Sequence, residues 1–308
     1  MAVQWPLLIF SVLLGASSGI LVFLGIGEIK GVFKKVRFPL AVCALALLAV
    51  GGCASALHLG HIDRAFYILG NVNSAFSHEL FAVGFAAVVA LVYAVLSRKD
   101  YPGALKVLGI LGLIAGIVLP LVAGFTYLMP ARPAWDSFTL PLMYLGTGLG
   151  LGFVLSAALT CQMGDEDDAS FALRLALVGV VCSIVTTLAY VAWIAMAPHQ
   201  APSRSIGLLL SGGLALEFWV GVVLLGIVAP AALGVLALRK AGSSPAGGAP
   251  AVATAGAEGG SGAGAAVAAG TKTAAGYLWA SLACLVVGNV VLRMIMYAVA
   301  TSVESLIY

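Results

Sequence analysis

Eight apolar runs, each long enough to cross a bilayer as a helix, fill most of this 308-residue chain. Their approximate limits are Trp5–Gly27, Phe38–Leu59, Ala75–Leu96, Ala104–Leu128, Phe138–Cys161, Phe171–Ala197, Ile206–Leu238 and Tyr277–Thr301. A spanning helix needs roughly 20 predominantly apolar residues. In hydrocarbon every backbone polar group must be satisfied within the protein, so only helices and closed barrels cross. The runs are continuous, whereas barrel strands alternate apolar with polar, so a barrel is excluded. The expected fold is an all-α polytopic membrane protein, one integral membrane domain over residues 1–308. Charged residues make up 9% of the chain, against about 25% in a soluble domain. Membrane lipid is therefore an expected partner and nucleic acid is not.

The basic residues set the expected orientation. Eleven of the 15 fall on one side: Lys30, Lys34, Lys35, Arg37, Arg98, Lys99, Lys106, Arg174, Arg239, Lys240 and Lys272. The other side has Arg64, Arg132 and Arg204, and Arg293 lies within the last run. The positive-inside rule then puts both termini on the outer, periplasmic side. No Lys or Arg precedes the first run, so it is expected to remain as a span and not to act as a cleaved signal. The acidic turn Asp165–Asp168 is assigned to an inner connection. Residues 241–270 are nearly all Ala, Gly, Ser and Pro and read as a flexible inner linker between the last two helices, with an Ala-rich helix the weaker alternative because the glycines oppose it. The cysteines Cys43, Cys53, Cys161, Cys182 and Cys284 form no C-x-x-C pair and read as small hydrophobes.

Titratable groups cluster at the outer edge. His58, His61, Asp63 and Arg64 follow the second run, and His78 and Glu79 open the third. Groups of this kind are costly near hydrocarbon and mark candidate functional sites. His78 and Glu79 face about 100° apart on a helix, and Glu79 is the one expected to point inward. Asn289, Arg293 and Tyr297 share one helix face by their i, i+4, i+8 spacing, again toward the outside. His61 and Asp63 read as loop, His58 as a proton acceptor. His58, Glu79 and Arg293 are the chemistry that quinol oxidation needs. A histidine takes a hydroxyl proton, a carboxylate passes it on, and an arginine stabilises charge on the ring oxygen. Arg64 and Tyr297 complete the candidate quinol-binding set. No metal site is expected. All four histidines belong to the outer half, which argues against a di-haem protein, and there is no cysteine cluster for iron–sulfur ligation. Glu217 reads as lying near mid-membrane, beside Gly212 and Gly213. It is the one feature favouring the alternative class, a transporter with a midplane site.

The segment Ala54–Gly60 with Arg64-Ala65-Phe66, Ser77-His78-Glu79, the start Trp5–Phe10 and a last span carrying Arg293 and Tyr297 resemble the membrane-anchor subunits of anaerobic dimethyl sulfoxide reductases. The likeness covers spans one to three and span eight, whereas the middle is generic. The resemblance implies a subunit that is not catalytic by itself and that sits in the cell inner membrane. It implies oxidation of menaquinol near the outer face, with no haem or cluster of its own. It further implies two partners, an iron–sulfur subunit and a molybdopterin catalytic subunit. It links His58 and Glu79 to quinol. Asn289 departs from it, standing where the family can place Glu. Anchors of polysulfide and nitrite reductases share the general plan, which leaves the terminal acceptor open.

Overall fold

In a computed structural model the protein is all-helical over the described residues, which are 3–57, 67, 70–99, 101–196, 206–242 and 260–300. The expected residues His58, His61, Asp63 and Arg64 lie outside them. Among the described residues, eight helices are long and apolar enough to cross a membrane. They are α1 (Trp5–Lys30), α2 (Arg37–Ala56), α3 (Ala75–Ser97), α4 (Pro102–Phe125), α5 (Thr139–Met163) and α6 (Glu166–Met196). Next comes α7, which is π-helical over Glu217–Val228 and α-helical over Ala229–Gly242, and last α8 (Gly260–Ala298). The first four helices pack around one another in a ring, as do the last four, and α1 and α4 join the rings by packing on α5. An even number of spans brings the start of α1 and the end of α8 to the same end of the bundle, which also holds Glu79.

Glycine decides how closely the two rings approach. The spanning windows of α1 and α5 are 78% and 72% buried, against 28% for α2, α3 and α7. Helix association in lipid relies on close packing, which small residues permit. Here Gly15 and Gly19 on α1 face Gly148 and Gly152 on α5, the same four-residue spacing on both helices. A Cβ built at Gly152 would lie 2.4 Å from the Gly19 Cα, and one at Gly19 2.4 Å from the Gly148 carbonyl oxygen. Backbone cannot yield there as a flexible side chain would. Gly152→Ala is therefore expected to cost about 1–3 kcal/mol, the usual range for overpacking. Gly84→Ala, where a Cβ meets nothing within 4 Å, is expected to stay within about 0.5 kcal/mol of the parent. Thermal unfolding of both variants in detergent micelles checks the pair.

The end opposite Glu79 is held by ions. After α1 the chain turns through Gly31 (φ 74°) and Phe33 (φ 65°). A positive φ is costly for a residue with a Cβ. Phe33 is held there by stacking between Phe23 and Phe171, at ring separations of 4.4 and 5.7 Å. Its N–H donates to Asp168 Oδ2 at 2.7 Å. Arg37 at the start of α2 meets the Glu28 carboxylate with Nε at 2.6 Å and Nη2 at 2.7 Å. Tyr93 of α3 donates to the same carboxylate at 2.5 Å. Glu28 and Arg37 are both buried.

Three expectations are corrected. The sixth helix starts before the expected Phe171: α6 begins at Glu166, Asp165 pairs with Lys35 and Asp168 holds Phe33. Carboxylates suit a helix N-terminus, where they face its unpaired N–H groups and dipole. The seventh run is broken at Ser211–Leu214, and the span starts at Glu217. Gly212 and Gly213 favour a turn over continued helix. Glu217 therefore opens its span at the Glu79 end instead of lying near the middle, which removes the feature that favoured a midplane transport site. Of the expected linker 241–270, residues 241–242 close α7 and 260–270 already belong to α8. Alanine is the best helix former and outweighs the scattered glycines there. Residues 243–259 lie outside the described residues.

Candidate functional site

Four elements converge at the Glu79 end. Helix α3 starts with a side-chain cap: Ser77 N–H donates to Ser74 Oγ at 3.1 Å, and Ser77 Oγ donates to the Asn71 carbonyl at 2.7 Å. A capped start fixes the rotation of the first turn. His78 is left exposed, and Glu79 is half-buried. Glu79 is in electrostatic reach of Tyr127, Tyr144 and Tyr297. Of the sequential pair, Glu79 is the member that faces the bundle.

The connection between α4 and α5 folds inward. Trp135, 2% exposed, donates its indole N–H to the Met296 carbonyl at 2.8 Å. That bond satisfies a carbonyl in the last turn of α8, where none of its own helix N–H groups is available. Tyr127 and Tyr297 share a hydrogen bond between their hydroxyls at 2.8 Å. The rings of Tyr127, Trp135, Tyr144 and Tyr297 lie 5.5–6.1 Å apart, mostly edge to face. Such pairs add specificity beyond the area they bury. Burial, then the neighbouring Tyr144, Tyr297 and Glu79, push the Tyr127 hydroxyl far above the ordinary tyrosine pKa. At neutral pH it is a hydrogen-bonding hydroxyl and not an acid.

Arg293 lies under this cluster. It is 2% exposed and five residues before the end of α8, about 7.5 Å at the helical rise. Its Nη2 donates to Thr147 Oγ1 at 3.2 Å, and its guanidinium carbon stands 3.3 Å from the centre of the Tyr144 ring. Nε and Nη1 are buried without a hydrogen-bond partner among the described residues, and no carboxylate of those residues is within ion-pair distance. A cation in this position is held by a ring face and a hydroxyl, with two N–H directions left to bind an anionic or carbonyl oxygen. Tyr190 of α6 is also buried, with an unpartnered hydroxyl and an electrostatic interaction with Arg293.

The structure thus unites Glu79, Arg293 and Tyr297 from the expected set. Asn289 is buried one turn deeper on the same face, 4% exposed. Sequence reading missed Tyr127, Trp135, Tyr144 and Thr147. Their only signal was aromatic and hydroxyl residues near the ends of apolar runs that share one edge. Fold and site together define a multi-pass helical membrane protein with a cation-centred, tyrosine-rich site buried at one end of the bundle. Residues 1–204 match the family described as DMSO reductase anchor subunit (DmsC), and the chain belongs to that family. It is 33% identical over 162 residues to the anaerobic dimethyl sulfoxide reductase chain YnfH of Escherichia coli (strain K12), covering 51% of this chain. The match spans 57% of that relative's length. The family match ends before α7 and α8, so Arg293 and Tyr297 rest on the geometry above.

Proposed function

We propose that this chain is the membrane anchor of a dimethyl sulfoxide reductase-type complex and that it oxidises menaquinol at the Glu79 end. The observation that carries the reading is Arg293, a buried cation with unpartnered N–H groups beside the Tyr127–Tyr297 hydroxyl pair, a pair that Glu79 reaches electrostatically. Family membership supports it. In this reading a quinol ring oxygen sits on the free edge of Arg293, with Tyr297 and Arg64 completing its binding. Its hydroxyl protons pass to His58 and Glu79 and out to water, two protons for each two electrons lost. The electrons go to an iron–sulfur partner and from there to a molybdenum-containing catalytic subunit. The positive-inside charge pattern supports placing this end at the periplasmic face of the inner membrane.

Glu79→Gln keeps the shape and removes the proton acceptor. In assembled complexes quinol-linked turnover is expected to fall by about 10²–10⁴, the usual contribution of a positioned acid–base group. Turnover with a reduced soluble dye, which bypasses the anchor, is expected to stay at the parent rate. Unchanged quinol-linked turnover in an assembled Glu79→Gln complex would refute the assignment.

A further inference from the structure

One helical turn deeper than Arg293, four polar side chains converge on a cavity of about 10 Å³. Thr147 comes from α5, Ser183 and Thr187 from α6, and Asn289 from α8. All are 4% exposed or less. The π-helical part of α7 forms the remaining wall through Val222 and Gly226. Turns of π form are uncommon and often accompany functional sites. The Gly226 and Gly288 backbones meet so closely that a Cβ at Gly288 would fall 2.4 Å from the Gly226 Cα. As glycines, neither position contributes a side chain to the space.

The hydrogen-bond inventory of the lining is incomplete in a specific way. Thr147 donates its hydroxyl hydrogen to the Met143 carbonyl at 2.6 Å and accepts from Arg293 at 3.2 Å, which leaves one lone pair. Asn289 donates from Nδ2 to the Leu285 carbonyl at 2.9 Å, which leaves Oδ1 and the second amide hydrogen. Among the described residues, Ser183 and Thr187 have hydroxyl hydrogens with no protein acceptor. Two acceptors and three donors therefore line one small space, inside a segment where unsatisfied polar groups are costly.

We infer that this cavity is a binding site for a single water molecule, which links α5, α6 and α8 beside the π-helical segment and completes the hydrogen bonds of the residue on which Arg293 leans. Water offers two donors, for Thr147 Oγ1 and Asn289 Oδ1, and two acceptor positions, for the hydroxyls of Ser183 and Thr187. The volume suits it, since a water needs about 10–15 Å³ of such space. A sodium ion would also find oxygens here. It would, however, sit against the Thr147 oxygen that already binds the Arg293 cation, with no carboxylate in the lining to offset the charge.

Hydroxyl-radical footprinting of the full chain in lipid nanodiscs tests the site, because buried waters label the residues they touch. Leu292 lines the cavity and is 4% exposed, while Leu285 on the same helix is 0% exposed and does not line it. Leu292 is expected to be labelled and Leu285 not. Thr187→Val, nearly isosteric, is expected to lower Leu292 labelling about tenfold, the worth of one hydrogen bond. Asn289→Leu, which fills the cavity, is expected to abolish it. Labelling of Leu292 no higher than that of Leu285 in the parent chain overturns the inference, as does full labelling in Thr187→Val. If Asn289→Leu does not fold, Thr187→Val alone decides. The readout is independent of quinol turnover, so it stands or falls apart from the proposed function.

Discussion

Replacing Arg37 with leucine is expected to destabilise the protein by about 3–5 kcal/mol, the cost of breaking a buried ion pair from one side. The substitution leaves Glu28 as an uncompensated carboxylate whose side chain is 3% exposed. Tyr93 still donates to it at 2.5 Å, but a single hydroxyl does not replace a two-point cation. Removing both charges together, Glu28→Met with Arg37→Met, is expected to recover about half of the loss, because well-packed apolar residues often match a buried pair. The residual deficit is about 1–3 kcal/mol, from the Tyr93 hydroxyl left without its acceptor. Chemical or thermal unfolding of the single and double variants in micelles checks both numbers. A single variant as stable as the parent would show that the pair is not what holds α1, α2 and α3 at this end.

Arg293→Met is expected to lower quinol-linked turnover by about 10²–10³, the effect of losing one positioned electrostatic donor. The sign of the stability change separates this reading from a structural one. A buried cation without a carboxylate partner among the described residues carries a desolvation cost. Methionine keeps the packing on Tyr144 and removes that cost, so the melting temperature is expected to stay level or rise. A structural anchor would give the opposite pattern, a falling melting temperature with turnover per assembled complex unchanged. Arg293→Lys should remain impaired. A compact ammonium lacks the flat fork that lies on the Tyr144 ring while donating to Thr147.

Much of the fold was legible because a bilayer admits few solutions. The expected third span, Ala75–Leu96, and the observed helix Ala75–Ser97 differ by one residue at one end. Apolar runs were misread where the break is local backbone chemistry, as at Gly212 and Gly213. Pattern reading was also weak wherever a charge is paired across helices. Arg37 read as one more basic residue in a connection, yet it is buried against Glu28. Nothing in the spacing of Glu28 and Arg37 reveals that the Gly31–Phe33 turn folds them together.

The candidate site divides in the same way. Glu79, Arg293 and Tyr297 were visible because titratable or polar groups in an apolar run are expensive and so stand out. The tyrosine and tryptophan partners were not, since an aromatic residue at a membrane edge is ordinary. What the sequence determined by itself is the number of spans, the clustering of basic residues at one end, and the polar face of the last helix. Each follows from the cost of polar groups in hydrocarbon, which acts on every residue independently of its neighbours. Only the tertiary structure decided that Gly152 lies on Gly19, that Glu28 receives Arg37, and that Arg293 rests on Tyr144 with two N–H directions free. Those outcomes depend on which helix faces which, and that is set by the close fit of small residues between helices far apart in the chain.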